Sequence, residues 1–252
     1  MKKQRNYLKE SGKSIKLVIT IFVASILTGL LLANYLSTFI NPLLKDLIDQ
    51  TTDLGTLELI MFIFFNNVST SLIGLALGLF LGIFPIIVAV TNGVILGYVL
   101  ERTAQISILE FWRLLPHGIF ELPAVFISLG MGLKLGIDSI RNYNSVHKKD
   151  NKMQVLGIIS VFLALIGIIM LKSTTAIASD QNNALSNIST ITLSLISILF
   201  ILPFILLFFT LNKKIRTYNL NNIYSALKVF LRLIIPLLVI AAVIEGILIG
   251  VI

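Results

Sequence analysis

Long apolar runs, uncharged or nearly so, alternate along this chain with short polar stretches. They are Leu17 to Leu44, Leu59 to Leu100, Leu114 to about Leu135, Met153 to Leu171, Ile188 to Leu211 and Leu233 to Ile252. A helix of about 20 apolar residues crosses a hydrocarbon layer of about 30 Å, so each run is long enough for at least one crossing. The pattern predicts an all-α, polytopic transmembrane helical bundle with lipid as its solvent.

The run from Leu59 to Leu100 carries no charge. At about 1.5 Å per helical residue it is about twice the thickness of the layer, so the chain must turn back within it. The turn is expected at Gly82 to Pro85, because proline donates no backbone N–H and clashes with the carbonyl four residues earlier. Two crossings and a re-entrant hairpin over 59–100 both fit, since either returns the two ends to one side. The first run is expected to hold one crossing that ends near Asn41 and Pro42. In the third, Pro116 suits a first helical position, and Pro123 should free the carbonyl of Ile119.

Composition agrees: 56% of the 252 residues are apolar and 13% charged, against about 25% charged in soluble domains. The mean hydropathy is +0.96. The net charge of +8 raises the question of a nucleic-acid partner. However, the basic residues do not form one patch. They gather at Lys2 to Lys16, at Lys134 to Lys152 and at Lys213 to Arg232, each flanking an apolar run. Cytoplasmic segments carry the excess of Lys and Arg, so the three clusters should share the cytoplasmic side. The acidic stretch Lys45 to Glu58, with Asp46, Asp49 and Asp53, should face outward. That arrangement requires about seven crossings, a cytoplasmic N-terminus with 1–14 as its basic segment, and an extracytoplasmic C-terminus. The chain then reads as a single integral membrane domain over 1–252, its first run a retained signal anchor. There is no cysteine, which excludes disulfides, thiolate catalysis and thiol-ligated metal centres.

Asn67, Ser71, Gly74, Gly78 and Gly82 recur on one helix face, and Gly93/Gly97, Gly132/Gly136 and Gly246/Gly250 are spaced four apart. Small residues let helix backbones approach closely in lipid. These glycines are assigned to packing within the chain, with a homo-oligomer interface as the alternative. The octets Asn92 to Val99 and Glu245 to Ile252 look alike but are too apolar to establish a repeat.

Candidate chemistry centres on Arg113-Leu-Leu-Pro-His117-Gly-Ile-Phe-Glu121-Leu-Pro123, where His117 and Glu121 share a helix face. Glu245 is the sole charge of the last run. An intramembrane carboxylate normally turns to the bundle interior or to water. Together with Asn66, Asn67, Asn92 and Arg113, these groups are expected to form one polar intramembrane centre. It could serve as a structural network, a proton path or a catalytic site, with His117, Glu121 and Glu245 as catalytic candidates. One intramembrane histidine and two glutamates make a weak ligand set, so neither a metal nor a cofactor is expected. Walker, HExxH and nucleophile-elbow motifs are absent, and nothing supports nucleotide hydrolysis or the standard hydrolase mechanisms.

The run Leu115 to Ala124, with Phe65-Asn-Asn67 and Asn92-Gly-Val-Ile-Leu-Gly97 before it and Ala241-Ala-Val-Ile-Glu245 after it, resembles the stage II sporulation protein M family. The resemblance covers 15–140 and 232–252 and implies five family-like crossings. The stretch 150–215 would then be an inserted helical pair. It also implies a component of envelope assemblies, acting with peptidoglycan-degrading partners in spore formers and accompanying circular bacteriocins elsewhere, in peptide maturation or export. It supplies no established catalytic residue. The first reading is therefore a membrane scaffold or export component that binds lipid and other membrane or envelope proteins. The alternatives are an intramembrane enzyme acting on a peptide substrate and a proton-coupled transporter.

Overall fold

The computed structural model describes residues 7–78, 82–106, 111–146 and 213–250. The chain divides into two compact units, 1–138 with 221–252, and 139–220; the first holds the candidate site. Every element among the described residues is helical. In order they are α1 (Gly12–Leu31), α2 (Ala33–Thr51), α3 (Thr56–Leu77), α4 (Ile83–Ile106), α5 (Phe111–Val146), α6 (Lys213–Val229), a π-helical turn (Phe230–Ile234) and α7 (Ile235–Gly250). Among the described residues, five segments are long and apolar enough to cross a membrane: Gly12–Leu31, Thr56–Leu77, Ile83–Gln105, Gly118–Arg141 and Leu220–Leu248. The further crossings expected at Met153 to Leu171 and Ile188 to Leu211 lie outside the described residues.

The first apolar run does not end near Pro42. It breaks at Leu32, whose backbone (φ −104°, ψ 14°) leaves the helical region while its N–H still reaches the Thr28 carbonyl. Pro42 lies inside α2, where it removes the backbone bond to Thr38. Contacts on both sides of the proline hold the helix together: Leu36 and Ile40 before it and Leu44 after it pack with Val94, Tyr98 and Val99 of α4. Similarly, α5 starts at Phe111, which puts Pro116 in the second turn rather than at the first position.

The turn between α3 and α4 closes at Gly82, whose φ of +70° is left-handed, a conformation only glycine adopts without strain. Its N–H bonds the Gly78 carbonyl at 2.9 Å. Pro85 falls in the first turn of α4, where its missing N–H costs nothing. At the other end of α3, the Glu58 carboxylate accepts from the Gly55 N–H at 3.0 Å, which satisfies one of the backbone groups left over at a helix start.

Pairwise contacts fix the helix directions. On α1 and α4, Gly93 meets Phe22, Gly97 meets Ile26 and Gly29 meets Tyr98, a parallel pair. On α3 and α5, the Ser128 hydroxyl donates to the Ser71 carbonyl at 2.7 Å, and Gly132 and Gly136 meet Gly78 and Gly82, again parallel. Ala242 packs with Leu59 and Ile63 and Gly246 with Ile60, so α7 is antiparallel to α3. The directions of α1, α3, α4, α5 and α7 therefore alternate along the chain, as successive crossings must. The Gly82 turn lies at the end of the bundle where Lys134 pairs with Asp138 (2.5 Å) and Glu10 (3.6 Å). Lys134 was expected in a basic loop; it is instead a half-buried residue of α5.

Candidate functional site

On α3, Leu59, Phe62, Ile63, Asn66 and Asn67 fall three or four residues apart and share one face. That face borders a cavity of about 460 Å³, completed by Glu121, Glu245 and the α2 end with its connection, Leu47, Ile48, Thr51, Thr52 and Leu54. The cavity therefore sits at the end of the bundle where α3 begins, opposite the Gly82 turn.

Small residues bring the two carboxylates to this space. A Cβ on Gly246 would stand 2.2 Å from Cγ1 of Ile60, so only glycine lets α7 come this close to α3 and set Glu245 beside it. Ala241 and Ala242, one turn earlier, are fully buried. Glu121 is placed from the other side. It precedes Ser128 by about two turns of α5, and Ser128 is anchored to Ser71 of α3. Farther along the same α3 face, a Cβ on Gly74 would stand 2.2 Å from the Leu129 side chain and one on Gly78 2.3 Å from the Gly132 backbone. The α3 stripe thus has two parts: its amides border the cavity and its glycines meet α5.

Four of the seven residues assigned to the polar centre, Asn66, Asn67, Glu121 and Glu245, border this one cavity. Asn92 does not join them. It is exposed on α4 and its amide donates to the Val88 carbonyl of its own helix at 2.8 Å, because the adjacent Gly93 must face α1. Arg113 and His117 lie on α5, about two turns and one turn before Glu121 respectively; their side chains lie outside the described residues. The Thr51 and Thr52 hydroxyls donate to Leu47 and Ile48 carbonyls at 2.9 and 2.7 Å, leaving their oxygens as acceptors. Glu245 makes no hydrogen bond or ion pair among the described residues.

The remaining packing glycines also meet backbone. A Cβ would fall 2.7 Å from the Phe22 carbonyl oxygen at Gly93, 2.1 Å from that of Ile26 at Gly97, 2.2 Å from the Gly82 nitrogen at Gly136 and 2.5 Å from the Gly74 oxygen at Gly132. Gly250 is the last residue of α7. Sequence reasoning missed Gly29 and Gly130, which meet Val94 and Ile15, because neither belongs to a repeated spacing. It also missed the contribution of the α2 end, which carried only a charge signal.

Residues 18–173, well over half of the chain, match the family model of Stage II sporulation protein M. The chain belongs to this family. The matched interval takes in α1 to α5 and continues through Met153 to Leu171, ending before α7. An uncharacterized protein of Methanocaldococcus jannaschii is 32% identical over 116 residues, which is 46% of this chain and 51% of that protein. The chain thus spans about half the length of the curated relative it matches. No solved structure matches it.

Proposed function

We propose that this stage II sporulation protein M family member is a non-enzymatic membrane scaffold or export component of an envelope-associated complex, and that its cavity receives a segment of a partner protein or exported peptide. The observation that carries this reading is the convergence of α3, α5 and α7 on an open polar space beside the α2 end, where Glu245 makes no bond among the described residues. Its volume of about 460 Å³ falls in the range of about 300–1,000 Å³ typical of ligand sites. It admits a few side chains and excludes a folded domain. The glycine faces are already engaged within the chain, so a homo-oligomer would use other surfaces.

The proposed orientation keeps the N-terminus cytoplasmic. With helix directions alternating, Lys13 and Lys16 at the start of α1, Lys134 toward the end of α5, and Lys228 and Arg232 before α7 share one end of the bundle, the one that positive charge assigns to the cytoplasm. The cavity and the acidic stretch Asp46 to Glu58 are then extracytoplasmic. A peptide crossing or leaving the membrane would meet the cavity there, whether the setting is bacteriocin export or wall remodelling.

One observation favours a second reading: two carboxylates border one intramembrane cavity, as in proton-coupled transport. An intramembrane enzyme with Glu121 as general base would use the same groups. Replacing Glu121 by Gln separates them, since it preserves shape and hydrogen bonding but abolishes ionisation. As a scaffold, the E121Q protein retains both its partners on solubilisation and the activity of the complex. A folded, assembled but inactive E121Q complex would contradict this.

A further inference from the structure

We infer that the cavity takes an alkylammonium group, a cationic amine on an apolar stem, such as a lysine side chain or a peptide amino-terminus of the bound segment. The inference rests on the reading above and specifies what the cavity recognises. The Glu245 carboxylate borders the space, and none of the residues lining it among those described is basic. Glu245 has no hydrogen-bond or ion-pair partner among the described residues, and a carboxylate at membrane depth is retained only with a partner or water. The counter-charge that Glu245 lacks among the described residues is thus the feature the ligand supplies. The surrounding chemistry repels anions as well: Lys45 is the only basic residue in the stretch that carries Asp46, Asp49, Asp53 and Glu58.

The remaining walls choose among cations. Leu47, Ile48, Leu54, Phe62 and Ile63 are apolar, whereas a bare metal cation seeks oxygen on all sides. An ammonium on a methylene stem satisfies both parts of the lining at once. Its head donates to carboxylate and to the oxygens of Asn66 and Asn67, and its stem lies along the aliphatic wall.

The chain has no cysteine, so a single introduced thiol reports on the cavity without background. In lipid nanodiscs, the labelling rate of Thr51→Cys, on the cavity wall, by a water-soluble maleimide is measured with hexylammonium, hexanol or potassium present. Thr38→Cys, elsewhere on α2, is the control. Hexylammonium should slow labelling at Thr51→Cys alone, at a concentration about tenfold below that needed with hexanol, the factor that one charged hydrogen bond supplies; potassium should have no effect. In the E245Q background the amine should fall to the level of the alcohol, and Asn67→Asp, which adds a carboxylate, should strengthen its effect. Equal protection by amine and alcohol would overturn the inference while leaving a segment-binding cavity standing. Protection by potassium as good as by the amine, no protection by either organic probe, or an amine effect unchanged in both variants would also overturn it. A thiol at Thr51 that never reacts in nanodiscs would remove the open cavity, and the proposed function with it.

Discussion

Gly78 has no room for a side chain, since a Cβ would stand 2.3 Å from the Gly132 backbone. Backbone cannot swing aside as a long side chain can, so Gly78→Ala should separate α3 from α5. The loss should be about 1–3 kcal/mol, as for other overpacked sites. Gly12, with nothing within 4 Å, is the matched control, and Gly12→Ala should leave the apparent unfolding temperature unchanged. Equal behaviour of the two variants in thermal unfolding would refute the close approach. The close-packing glycines with a four-residue spacing were legible in the sequence, since small residues at that interval have one main use in lipid. Tyr98 was not. It is 1% exposed, its hydroxyl donates to Asn41, and the Arg102 guanidinium lies 5.2 Å from its ring centre. Nothing local announces a partner 57 residues away.

At the scale of elements, the apolar runs among the described residues located the membrane-length helices and placed their ends poorly. Pro42 looks like a terminator, but it removes a single backbone bond, which packing of α2 against α4 outweighs. Leu32, where the chain does break, carries no breaker signal at all. The π-helical turn Phe230–Ile234 was equally invisible. There the Ile235 N–H reaches back to Phe230, which absorbs one extra residue just before Pro236; such turns behave as local insertions. Deleting Leu231 should therefore close the turn into regular helix and leave α7 in register. Deleting Val239 from α7 should instead rotate everything beyond it by about 100°, taking Gly246 off Ile60 and Glu245 out of the cavity. Thermal unfolding should show the second deletion to be the more damaging, and equal damage would contradict the assignment of the turn.

At the scale of the molecule, charge bias and the apolar runs together predicted an alternating helical bundle, and the contacts between glycines set its directions. The same contacts bear on the hairpin over 59–100, which the sequence left open. Gly82 lies at the Lys134 end and Leu59 at the Glu245 end, so the first leg, α3, runs the length of the bundle. The candidate site was partly legible, because a glutamate in an apolar run is conspicuous. Its grouping was not, because which helices converge depends on long-range packing. The account depends most on Glu121 and Glu245 bordering a shared hydrated cavity rather than lipid. Single cysteines at Asn67, Glu121 and Glu245, and at the exposed apolar positions Ile73 and Val243, can be offered a membrane-impermeant thiol reagent from outside intact cells. The first three should react and the last two should not; residues 121 and 245 behaving like 73 and 243 would contradict the account.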